Sequence, residues 1–182
     1  MKFRLWESTC VVQGGDYNLP TGEWDGVQAV SVTFAAGQIP PDWPELPDGE
    51  GNWAQLPPQE QERLAGVLKT AIQAGAVKEI ALYLDPWEED AFLCGEFREG
   101  WAALLYTLLD ECNATPYRPE CPSGEEAAPV EIGGQTPVPR MCALEDLGQA
   151  ADILLWFLRT GTLYPHIQWA VHSDNLPWET LW

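Results

Sequence analysis

At 182 residues, 46% of them hydrophobic, the chain carries enough apolar side chain for one core and too much for a disordered acidic tail. Nine Lys and Arg stand against 28 Asp and Glu, a formal charge of −19, and such a field repels nucleic acid and anionic membrane surfaces while drawing cationic partners. No apolar run reaches the ~18 residues of a membrane span, and the N-terminal stretch lacks a signal-peptide pattern, so the expected location is the cytoplasm.

Residues 2–13, KFRLWESTCVVQ, read as a first strand closed by the turn signal Gly14-Gly15-Asp16. Residues 27–35, VQAVSVTFA, read as a second, rich in Val, Thr and Phe. The two are expected to pair antiparallel across the intervening loop. Residues 36–58 then change character, with prolines, tryptophans and acids and no Lys or Arg. Proline at that density blocks both helix and central strand. The segment is a surface loop pinned by Trp43 and Trp53, or a rigid acidic-aromatic binding loop presenting Asp42, Trp43 and Glu45.

Residues 58–74 have the first clear helical pattern. Pro58 suits the first helical position, and Leu64, Val67, Leu68, Ala71 and Ile72 fall on one face. Gly75 is the natural stop. Residues 77–84 follow as a strand, with Ile80, Leu82 and Leu84 on one face. Asp85-Pro86 ends it, and Asp85, Glu88, Glu89 and Asp90 gather around Trp87 at its tip. This strand is the expected centre of the fold, and its acidic, aromatic tip the expected functional edge.

Residues 98–112 read as a second helix, from the stripe Trp101, Leu104, Leu105, Leu108 and Leu109. Residues 114–140 are again proline-rich and acidic and read as a second long loop, with a short strand at Val130–Ile132 and least order at Ser123–Ala128. Residues 143–160 read as a third helix, apolar on more than one side and stopped by Gly161. Residues 167–172 give a last strand, before a terminus carrying Trp178 and Trp182. The expected architecture is a single α+β domain over residues 1–182, a sheet of four to five strands covered by three helices.

Chemical motifs are sparse. There is no GxSxG, HExxH, P-loop or GxGxxG, and the acidic tip lacks EF-hand spacing. The five cysteines form no CxxC pair, which argues against structural zinc and for free thiols, with one bridge, Cys112 to Cys121, as the alternative. Cys142 or Cys10 can be paired with His166 or His172 on paper, yet lone Cys and His residues are weak signals of catalysis. The sequence thus predicts no enzyme, no cofactor and no metal.

What recurs is tryptophan beside carboxylate: Trp24 between Glu23 and Asp25, Trp43 beside Asp42, Trp87 before Glu88 and Glu89, Trp178 before Glu179. Tryptophan anchors interfaces, and carboxylates beside it pair Arg or Lys on a partner. In size, acidity and lack of catalytic motifs the chain resembles immunity proteins of bacterial toxin systems. That resemblance implies a binding protein that neutralises a basic protein partner by plugging its cleft. Asp85, Trp87, Glu88, Glu89 and Asp90, with Asp42, Trp43 and Glu45, are the residues expected to contact the partner. A nucleic-acid mimic, with carboxylates spaced like phosphates, an adaptor or structural subunit joined through tryptophan, and an unrecognised hydrolase are the alternatives.

Overall fold

The computed structural model describes residues 2–5, 10–13, 31–34, 51–53, 56–83, 91–108, 112–118, 120–121, 127–172 and 178–181. In chain order the elements are β1 (Lys2–Leu5), β2 (Cys10–Gln13), β3 (Ser31–Phe34), β4 (Gly51–Asn52), α1 (Pro58–Gln73), β5 (Glu79–Tyr83), β6 (Ala91–Arg98), β7 (Trp101–Leu108) and β8 (Cys112–Tyr117). Then come β9 (Ala127–Ile132), β10 (Thr136–Pro139), a 3-10 turn at Arg140–Cys142, β11 (Ala143–Leu144), α2 (Leu147–Thr160), β12 (Gln168–His172) and β13 (Trp178–Leu181). Helix and antiparallel strand are mixed in an α+β arrangement.

The main sheet has nine strands, ordered β2-β12-β8-β7-β6-β5-β3-β4, with β11 continuing the β8 edge of β7. Its centre is the meander β5-β6-β7-β8, in which Ile80 faces Gly95 and Gly95 faces Leu104. The expected strand at 77–84 is β5, second from β4 on the strand path, and its Ile80 and Leu82 are buried as the alternation requires.

One expectation is overturned at the next element. Residues 98–108 form no helix: β6 ends at Arg98, Glu99 and Gly100 both take positive φ (52° and 81°), and Trp101 pairs back onto Arg98. Positive φ at both central residues is what the tight hairpin turns of a twisted ribbon demand. The leucine stripe mimicked a helix because β7 is covered on both faces. Ala102, Leu104 and Tyr106 join the main core and Ala103 a second one. A strand buried on both sides loses the period-2 signature that identifies it. Among the described residues there are therefore two α-helices, and the sheet is wider than four to five strands.

The N-terminal pairing also differs. Residues 2–13 divide into β1, paired with β13, and β2, paired with β12. β3 pairs β4 and β5 rather than the first strand. These partners lie far apart in sequence, and nothing in local composition selects them. The described residues of the stretch 114–140 are largely strand. Pro129, Pro137 and Pro139 fit because β9 and β10 form a separate two-stranded ribbon, where each strand keeps an edge that needs no ladder donor. The register shifts between Pro137 and Pro139. Of the stretch expected to be least ordered, Ala127 and Ala128 belong to β9, while 123–126 lie outside the described residues.

Both described helices pack on one face of the sheet. α1 starts at Pro58 and buries Leu64, Ala65, Leu68 and Ile72, and Gly75 follows it at φ 68°. α2 begins at Leu147, later than expected, because the Asp146 carboxylate caps it, accepting from the amides of Gly148 at 2.8 Å and Gln149 at 3.2 Å. It ends at Gly161, in the left-handed region at φ 66°, whose amide donates to Phe157 O at 2.7 Å. Lys69 to Asp152 (2.6 Å) and Arg159 to Glu62 (3.1 Å) tie the helices across exposed ground, where such pairs contribute little. The core between helices and sheet holds Leu93, Phe97, Leu104, Tyr106, Phe157 and Trp169. The Trp169 indole N–H is satisfied by Tyr164 O at 3.0 Å. Trp53 is buried in the same core, and its carbonyl accepts from Gln61 at 2.9 Å. It thus anchors the end of the 36–58 segment, as its size suggested; Trp43 lies outside the described residues.

Gly95 lets helix-facing side chains close over β6. A Cβ there would sit 2.9 Å from Leu104 Cδ2 and 3.2 Å from Ile80 Cγ2. Gly95→Ala should destabilise the chain by about 1–3 kcal/mol through overpacking. Gly66→Ala, inside α1 where a Cβ meets nothing within 4 Å, should stabilise it by about 0.5–1 kcal/mol through helix propensity. Urea denaturation of the two variants tests this; equal and opposite signs reversed would refute the packing account.

Candidate functional site: the acidic sheet face

All eight residues expected at the partner surface (Asp42, Trp43, Glu45, Asp85, Trp87, Glu88, Glu89 and Asp90) lie outside the described residues. Residues 84–90 connect β5 to β6, adjacent strands whose register sets Tyr83 opposite Phe92. The Tyr83 and Phe92 rings lie 5.4 Å apart between centroids.

The sheet face away from the helices carries this aromatic pair. Side chains alternate, so Glu79, Ala81 and Tyr83 of β5 share that face with Phe92, Cys94 and Glu96 of β6 and with Trp101, Ala103, Leu105 and Thr107 of β7. Part of it lies under the β9–β10 ribbon, where Ala128, Val130 and Val138 pack with Ala103, Cys142 and Ala143. Trp101, Tyr117, Ile132 and Met141 border that second core. The Arg140 guanidinium stacks on Trp101 at 5.5 Å. Arg118 holds the 3-10 turn by donating to Arg140 O at 3.1 Å, and its amide donates to Met141 O at 2.8 Å. Tyr83, Phe92, Cys94, Leu105 and Thr107 are half-buried.

Beside the ribbon sits a knot of carboxylates that sequence reasoning missed. Glu79 and Glu96 are direct cross-strand partners on β5 and β6. Glu131 of β9 adds a third negative charge, with Arg98 3.9 Å from it. The Glu96 carboxyl accepts a short hydrogen bond from the Gly133 amide in the β9–β10 turn. Burial is the largest influence on Glu96 and raises its pKa above the ordinary carboxylate value; Glu79 and Glu131 raise it further, against the pull of the Gly133 and Gly134 amides. The signal was present in the sequence only as three ordinary glutamates. Their meeting depends on strand register and on where the ribbon lands.

The thiols here are not poised for chemistry. Burial, and then the charge of Glu96, pushes the Cys94 thiol up to about 12. Cys142, set against a catalytic role in the sequence reading, is fully buried, and burial pushes its thiol up to about 12 despite the Thr115 hydroxyl and the Arg118 charge nearby. Neither is a thiolate at neutral pH, the form a nucleophile or metal ligand needs. Among the described residues no group of three or more His, Cys, Asp or Glu is arranged to hold a metal ion, and no helix is long and apolar enough to cross a membrane.

Like charges directly opposite each other destabilise a sheet. Glu79→Gln removes one such pair and leaves the Glu96 hydrogen bond intact. It should raise stability at pH 7 by about 0.5 kcal/mol, a value reduced by solvent screening. The pH course follows from the raised folded-state pKa of Glu96. Its contribution to stability is fully present below the unfolded value of 4.5 and is lost as pH rises through the folded value. Thermal melts across that window should show a shallower loss in Glu79→Gln than in the parent; identical slopes would contradict the carboxylate crowding.

Compared with known protein families, with curated proteins and with solved structures, the chain matches none.

Proposed function

We propose that this chain is a non-enzymatic binding protein that neutralises a cationic protein partner, in the manner of an immunity protein that inhibits a cognate bacterial toxin in the cytoplasm. The observation that carries the reading is the crowding of three carboxylates, Glu79, Glu96 and Glu131, on a sheet face of a chain already at −19. Self-repulsion of this kind lowers stability. Proteins keep such costs where a site needs them, and a partner's Lys or Arg groups offset this one. The long-range field of −19 speeds encounter with a basic surface, and desolvated charge pairs then set the lifetime of the complex.

In this reading Asp85, Trp87, Glu88, Glu89 and Asp90 are the principal contact, with Asp42, Trp43 and Glu45 beside them. In sequence the first group falls between the neighbouring strands β5 and β6.

The test is genetic and then biophysical. A neighbouring gene whose basic product halts growth when expressed alone should be silenced by co-expression of this chain. The triple variant Glu88→Lys, Glu89→Lys, Asp90→Lys should lose rescue and weaken binding of the purified partner by at least about tenfold, roughly 1.4 kcal/mol, with an unchanged melting temperature. Rescue that survives the reversal would remove the tip from the interface. No rescue by the parent chain would overturn the reading.

A further inference from the structure

We infer that the β9–β10 ribbon is a flap that opens by itself, hinged just before the turn at Arg140–Cys142, and uncovers the second core while the helix-covered core stays folded. Among the described residues the ribbon forms a two-stranded sheet of its own and shares no ladder with the main one. Its register shifts between Pro137 and Pro139, close to the turn that follows. A two-stranded ribbon is marginal in water without a face to rest on. This one therefore depends on what it buries against the sheet.

What it buries is small. Ala128, Val130 and Val138 of the ribbon pack with Ala103, Cys142 and Ala143. On the other face the helices close over Leu93, Leu104, Tyr106, Phe157 and Trp169. Burial free energy follows the apolar area removed from water, so the second core yields first. Two polar ties hold the far end. The Glu96 carboxyl accepts from the Gly133 amide in the turn, and Arg98 stands 3.9 Å from Glu131. Both are open to solvent, where such contacts contribute little. The near end is fastened more firmly. Arg118 donates to Arg140 O at 3.1 Å, its amide donates to Met141 O at 2.8 Å, and the Arg140 guanidinium lies over Trp101. Beyond this turn, β11 is laddered to β7. The bending point therefore falls between β10 and the fastened turn. Cys142 sits directly behind it and is fully buried, so its thiol reports opening.

This inference does not rest on a partner, and the experiment uses the isolated chain. Labelling of Cys142 by N-ethylmaleimide is followed by mass spectrometry of the digested protein at increasing urea, beside global unfolding read by circular dichroism. At low urea Cys142 should label faster than global unfolding allows, with a shallower dependence on urea, and the two should merge as urea rises. Hydrogen exchange of the β9 and β10 amides should show the same shallow dependence. Val138→Ala, in the second core, should speed labelling in water several-fold. Ile72→Val, in the helix-covered core, should lower the global urea midpoint and leave that rate unchanged. Labelling that follows global unfolding at every urea concentration, labelling that Val138→Ala does not speed, or equal acceleration by both variants overturns the flap and leaves the partner reading untouched.

Discussion

The structure depends on the cover of the β5-β6-β7 meander on both faces. On one side Ile80, Leu82, Leu93, Leu104 and Tyr106 lie under the helices. On the other, Ala103 lies under the β9–β10 ribbon and the segment that follows it. Each large apolar side chain buried in this way contributes on the order of 1.5–3 kcal/mol. Gly95 sets how closely the first layer approaches, since the space over it is filled by Leu104 and Ile80. The small residues Ala102 and Ala103 on β7 let both layers come in at once.

The same two-sided cover produces the acidic knot. Sheet pairing brings Glu79 to Glu96, and the ribbon that covers the second face delivers Glu131 together with the amides of its turn. Attractive and repulsive contacts thus converge on one carboxyl. The turn amides compensate part of the charge, and Arg98 compensates part of Glu131. The residual repulsion is a property of the tertiary arrangement.

The helices were legible because each carries its own punctuation. Pro58 and Gly75 bracket α1, and Gly161 closes α2. Asp146 was the missed sign: a capping carboxylate places the start of α2 after the apolar Ala143-Leu144, which pairs with β7. β5 and β12 were legible by alternation, with Ile80, Leu82 and Trp169 inward. β7 was not, because burial on both faces erases the alternation and leaves a leucine pattern that a helix fits equally well. The Glu99-Gly100 turn was the local clue to a hairpin. Pro129, Pro137 and Pro139 pointed to loop because their tolerance in a two-stranded ribbon depends on having a free edge.

By itself, then, the sequence determined the acidity of the molecule, its mixed helix-and-strand character, the buried strand at Ile80 and Leu82 and the two helices with end signals. These follow from composition, periodicity and capping, which act over a few residues. Only the tertiary structure decided that β2 joins β12, that the ribbon lies over the second face, and that Glu79, Glu96 and Glu131 meet. Those outcomes rest on pairing between distant segments, chosen by which faces remain to be buried. The acidic tip at 85–90, expected at the functional edge from sequence, lies outside the described residues. The carboxylate face beside the ribbon is the part of the site that only folding brings together.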